Sequence, residues 1–218
     1  MHTAKSFPVA LLAACSLLRA APSSVTPAPV TILVDFEKPH SPVSVAAMRR
    51  ELESLLTPVG LKIDLQIRSE LKPSQEFADL VIFKMKGSCI MESLPIAALS
   101  DERGPLAMAY SSDGEVLHFG EVQCDRIRES LNRVVGRVPH DSRQSLLGRA
   151  IGLVIGHEVY HMIANSTKHT KHGVTKESLS ARELLEGDLR LPDLARMALQ
   201  EALASGRPPA ASTSNGFF

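Results

Sequence analysis

Residues 30–36 form a short apolar run that carries Asp35 near its end, which predicts a strand. In 43–56 apolar residues recur at 45, 48, 52, 55 and 56, the spacing of an amphipathic helix. Residues 61–67 alternate with period two, predicting a half-buried strand, and 79–85 reads as a further, more buried one. A turn signal, Ser111-Ser112-Asp113-Gly114, separates 106–110 from 116–122, so a hairpin is expected and the sheet ends in antiparallel strands. Residues 125–135 look helical, and Pro139 followed by Asp141, with Gln144 three positions later, marks the start of another helix. Apolar residues at 146, 147, 150, 151, 153, 154 and 155 make 141–163 a buried helix, and the chain reads as helical from there to its tail. A β-rich half followed by helices is an α+β arrangement.

The length of 218 residues allows one domain with appendages. Lys+Arg 24 balances Asp+Glu 24, which removes any global electrostatic drive toward nucleic acid or an anionic membrane. A hydrophobic content of 44% is enough for a sizeable core. The first 21 residues have the outline of a secretory signal: Lys5, an apolar stretch from Phe7 to Leu18, then Ala20 and Ala21. That stretch is shorter than the roughly 20 residues of a membrane span, and no later run is longer, so no transmembrane segment is expected. The signal predicts export, to the periplasm or the medium. Leu12-Ala13-Ala14-Cys15 also fits a lipobox, which would place a lipid anchor on Cys15. Residues 22–29 read as a Pro/Ser linker and 205–218 as a disordered tail, leaving 30–204 as the domain.

With the signal removed, Cys89 and Cys124 remain. An even pair in an exported protein reads as one disulfide, which would stabilise the fold by roughly 3–4 kcal/mol in the chain-entropy account. Two buried free thiols are the alternative; a zinc role fits less well, because neither Cys has a second Cys or a His two to four residues away.

His157-Glu158-Val159-Tyr160-His161 is a His-Glu-x-x-His motif inside the predicted buried helix, the context that motif requires. Positions i and i+4 lie on one helical face, so the two imidazoles can converge on one Zn²⁺ at about 2.0–2.1 Å. Glu158, one residue round the helix, is placed to take a proton from a water whose pKa the metal lowers toward about 7. Ionisable residues on so apolar a helix are costly to desolvate without a partner, and a metal is the natural one; core histidines bonded to backbone carbonyls are the bland alternative. A catalytic zinc needs a third protein ligand. His169 is the first choice, eight residues after His161 and beyond Asn165, which can take the left-handed conformation that turns the chain back. His172, Glu183 and Glu186 are its rivals, and a solvated loop is the non-functional reading of His169 and His172.

These residues, with Gly173 and the segment Ala181 to Leu185, resemble a group of exported bacterial zincin-type proteins, metzincin-like in plan. The resemblance extends upstream to Gly87-Ser88-Cys89 and to Val122-Gln123-Cys124-Asp125-Arg126, about half the chain in all. It implies a metalloprotease-like fold with a mixed sheet over the active-site helix, zinc at His157, His161 and His169, and Glu158 as general base. The chain departs from the metzincin pattern in having Ala164 and Thr167 where a Gly and the third His stand, and Thr175 at the Met-turn position. Tyr160 stands where Gly is common.

Outside the motif the signals are weaker. His118 would approach the cleft if its strand edges the sheet above the site, but an outward-facing position is the simpler expectation. Tyr110 is a candidate oxyanion stabiliser, though a strand Tyr is more often core. His140 fits a turn, and the charge-rich 125–137 a solvated helix face. No glycine cluster could cradle a phosphate, and no Gly-x-Ser-x-Gly elbow exists. The expectation is therefore a secreted zinc-dependent peptidase acting on a peptide or protein. The alternative is an exported zinc-binding protein of the same fold that cleaves nothing.

Overall fold

The computed structural model describes residues 29–91, 104–135 and 139–206. The signal, the lipobox at Cys15 and all but the last residue of the linker lie outside the described residues. Among those described, five strands form one sheet in the order β2-β1-β3-β5-β4: β1 Val30–Phe36, β2 Ile63–Ile67, β3 Asp79–Lys86, β4 Ala107–Ser112 and β5 Glu115–Gln123. β2, β1, β3 and β5 run parallel, and β4 closes one edge antiparallel to β5. The sheet is thus mixed, and the arrangement is α+β. The hairpin turn is tighter than four residues: only Asp113 and Gly114 sit between the strands, at φ +52° and +83°. Two consecutive positive φ values are what a two-residue turn of matching twist requires.

Among the described residues five α-helices accompany the sheet: α1 Pro42–Leu56, α2 Cys124–Val135, α3 His140–Ile163, α4 Ala181–Glu186 and α5 Asp193–Ala204. Helix α3 is buried along most of its length, and α1 is packed against it. Glycines four apart on α3 make the close approach possible. A Cβ added to Gly148 would lie 2.0 Å from the Ser44 carbonyl oxygen, and one on Gly152 would lie 2.9 Å from that of Met48. At Gly156 the nearest atom would be the Leu55 Cδ1 at 2.7 Å. Side chains at these positions would force the two helices apart.

The start of α3 differs from expectation. Pro139 is the N-cap and offers no side-chain bond, so Asp141 and Gln144 form no capping box. Gln144 is buried instead: its Nε2 donates to the Met91 carbonyl at 2.8 Å, and its backbone carbonyl accepts from the Ser44 hydroxyl at 2.8 Å. Beyond α3 the chain is not continuously helical, since 164–180 forms an irregular loop with one isolated bridge between Thr170 and Lys176. Arg149 of α3 holds the end of α4, donating to the carbonyls of Leu184, Leu185 and Gly187 while pairing with Glu51. Cys89 and Cys124 form a disulfide. No described helix is long and apolar enough to cross a membrane.

Candidate metal centre and cleft

His157, Glu158 and His161 occupy the last two turns of α3, 9%, 7% and 6% exposed. The i, i+4 spacing stacks the two imidazoles on one face, and their Nε2 atoms lie 2.9 Å apart. Each ring's other nitrogen faces a backbone carbonyl: His157 Nδ1 meets the Val174 carbonyl at 2.8 Å, and His161 Nδ1 meets that of Ser166. A carbonyl oxygen only accepts, so each Nδ1 carries the proton and each Nε2 is left with a lone pair. Burial holds both rings in the neutral form, pushing the His157 pKa down to about 4 and lowering that of His161. Two lone pairs thus face each other with no proton between them, a donor set that suits a cation.

His169 completes the group. The ligand atoms of His157, His161 and His169 all lie within 4.8 Å of one another. The loop that brings His169 back depends on Asn165, at φ +44°, as the turn after the helix requires, with its Oδ1 accepting the Val116 N–H at 2.8 Å. Beside His169, Thr170 ties the loop together: its N–H donates to the Thr175 carbonyl at 2.9 Å, and its hydroxyl meets that of Thr175 at 2.7 Å. Thr175 is fully buried. Gly173, at φ +76°, lets the chain pass Arg190, whose carbonyl oxygen a Cβ would approach to 2.5 Å. That passage puts the Val174 carbonyl over His157.

The rivals of His169 lie outside the cluster. His172 is exposed, outside the cluster, and its carbonyl accepts from the Thr170 hydroxyl. Glu183 is bound to Lys176 and forms the capping box of α4 with Ser180. Glu186 lies at the end of α4 and is not among the clustered ligands.

Glu158 reaches from α3 toward the sheet. Its Oε2 accepts the Ala109 N–H at 2.8 Å. Burial pushes its pKa up to about 7, against the opposing effect of that bond. The triad and Glu158 open onto a cleft of about 530 Å³, lined also by Ala107 to Ala109 of β4 and by Glu177 to Leu179.

Two expectations for the hairpin are corrected. His118 shares its parity with Val116, Gly120 and Val122 and faces α3, not outward, because that face of β5 packs on the helix; it does not line the cleft. Tyr110 is not core: it is exposed at the sheet edge and stacks on Phe119, ring centroids 5.3 Å apart. His140 opens α3, with its Nε2 3.2 Å from Gln144 Nε2, and is no part of the triad. Helix α2 is solvated on one side only, since Ile127, Arg128 and Leu131 are buried. The sequence reading missed the second tier of the site: the Ala109 amide and the Val174 and Ser166 carbonyls are backbone groups and leave no mark in residue identity. Gly173 was the one sequence signal that pointed to the Val174 turn.

The mixed sheet, the buried helix with His-Glu-x-x-His and the returning third histidine make the fold zincin-like. The chain matches no described protein family and no curated protein. Among solved structures it is similar to the archaemetzincin of Methanopyrus kandleri, with a TM-score of 0.50 over 84% of this chain and 99% of that one, at 10% identity. At that identity the likeness is one of fold.

Proposed function

We propose that this chain is a zinc-dependent peptidase, with His157, His161 and His169 holding the metal and Glu158 as general base. The observation that carries the reading is the pair of Nε2 atoms 2.9 Å apart on imidazoles whose Nδ1 atoms face carbonyls, with His169 beside them and a buried carboxylate next in sequence. Three histidines with an open position are the ligand set of a catalytic zinc. A bound zinc ion supplies Lewis acidity toward a carbonyl and makes a nearby water easier to deprotonate. The residues of the chain do the rest. Val174 and Ser166 fix the tautomers of the two helix histidines through their carbonyls. Glu158, with a pKa of about 7, can both take a proton from water and give it to a leaving amine near neutrality. The exposed edge of β4 offers backbone groups along which an extended peptide can align.

The same reading takes 30–204 as the catalytic domain and the first 21 residues as an export signal. Its test is Glu158→Gln in the zinc-loaded protein. Retained zinc with cleavage of a peptide library reduced by roughly 10²–10⁴ supports the peptidase. A wild-type protein that carries one zinc and cleaves nothing would replace it with the zinc-binding module.

A further inference from the structure

We propose that the backbone amide of Ala109 is a positioning group for Glu158, so that the edge strand of the sheet, and not the helix alone, aims the base. This rests on the peptidase reading above. The Gln123 N–H donates to the Leu106 carbonyl at 2.8 Å, making 106 and 123 a hydrogen-bonded pair of the antiparallel ladder. Such pairs alternate, and Ala109 opposite Gly120 falls on a non-bonded position, so its N–H points away from β5 to the free edge of the sheet. The Glu158 carboxylate meets it there, 2.8 Å away.

Three neighbouring features hold that amide in place. The register of β4 against β5 shifts between Ala109 and Ser111, an irregularity of the kind that re-aims backbone groups beside active sites. Gly120 lets the strands close up, since a Cβ there would lie 2.6 Å from the Met108 carbonyl oxygen and 3.1 Å from the Met162 Cε. The start of β5 is fastened to the end of α3 by the Val116–Asn165 bond. The hairpin is therefore hydrogen-bonded both to Glu158 of α3 and to Asn165 in the turn after it, besides the packing of β5 on the helix.

One carboxylate oxygen is engaged in this way, while the other has no protein partner among the described residues and is left to move a proton. A buried carboxylate with free side-chain torsions would otherwise sample orientations well outside the roughly 10–20° that productive geometry tolerates.

Two measurements on the zinc-loaded full chain test this. In hydrogen exchange followed by NMR, the Ala109 amide should exchange at least tenfold faster in Glu158→Ala than in wild type. Glu158→Gln, whose amide oxygen still accepts, should keep the protection, and Val122 in β5 should be unchanged in both. Equal Ala109 exchange in wild type and Glu158→Ala would overturn the proposal. Replacing the Ala109 amide by the corresponding ester, with lactic acid at position 109, should lower kcat about tenfold with KM and zinc content unchanged. An unchanged kcat, or a loss confined to KM, would also overturn it, the latter assigning the amide to substrate pairing. No cleavage by zinc-loaded wild type would instead sink the peptidase reading and the catalytic part of the proposal with it, whereas the exchange result reports on the Ala109–Glu158 contact either way.

Discussion

Asn165 and Val116 are joined by a 2.8 Å hydrogen bond from the strand amide to the side-chain oxygen of a residue at φ +44°. One residue thus turns the chain after α3 and fastens the hairpin beside it. Asn165→Ala should cost about 1–3 kcal/mol, through the unsatisfied Val116 amide and the strained φ. Asn165→Gly relieves the backbone and should cost less. Urea denaturation of the two variants separates the terms, and equal costs would assign the whole effect to the lost bond.

Elemental analysis should find one zinc per chain, with marked loss in His169→Ala. If zinc binds the folded triad as proposed, removing it with a chelator should lower Tm; at a free zinc concentration 100-fold above Kd the linkage amounts to about 2.7 kcal/mol. Identical melting curves with and without chelator would show that His157 and His161 are core residues with no metal role.

Glu183 makes part of the stability pH-dependent. The Lys176 ammonium first, then the Ser180 hydroxyl and amide, hold its pKa down to about 2 from the usual 4.5. A lowered folded-state pKa contributes stability that is fully present above pH 4.5 and lost as pH falls toward about 2. The side chain is partly exposed, so solvent screening leaves less than the shift itself implies. The Tm difference between wild type and Glu183→Gln should therefore be larger at pH 6 than at pH 3. A difference that does not change with pH would refute this origin.

Gly148→Ala should destabilise the protein by about 1–3 kcal/mol although Ala is the better helix former, because the added carbon meets the rigid Ser44 backbone and not a side chain that can swing away. Gly114→Ala meets no atom within 4 Å, so any cost there comes from its φ of +83° alone. Thermal melts of both compare crowding with backbone strain.

Those glycines also show where the sequence was legible and where it was not. Dense apolar runs located β1 and α3 closely, because a central strand and a buried helix are covered on nearly every side. Gly148, Gly152 and Gly156, four apart, were a readable sign of close helix contact that hydrophobic counting passes over, since glycine carries no hydrophobic signal. The start of α3 was placed to within a residue, but Gln144, which has the spacing for a capping box, finds buried partners at Met91 and Ser44 instead. His157, Glu158 and His161 were plain because helical geometry alone brings them together. His169 needed a turn at Asn165 to be guessed, and the parity of His118 could be settled only once the packed face of β5 was known.

The Cys89–Cys124 bond closes a covalent ring of chain that contains both β4 and β5. If the hairpin peels away from the sheet, the far end of β5 stays stapled to the chain that follows β3. A displaced hairpin therefore keeps one covalent tether beside the sheet, on the strand that follows β4.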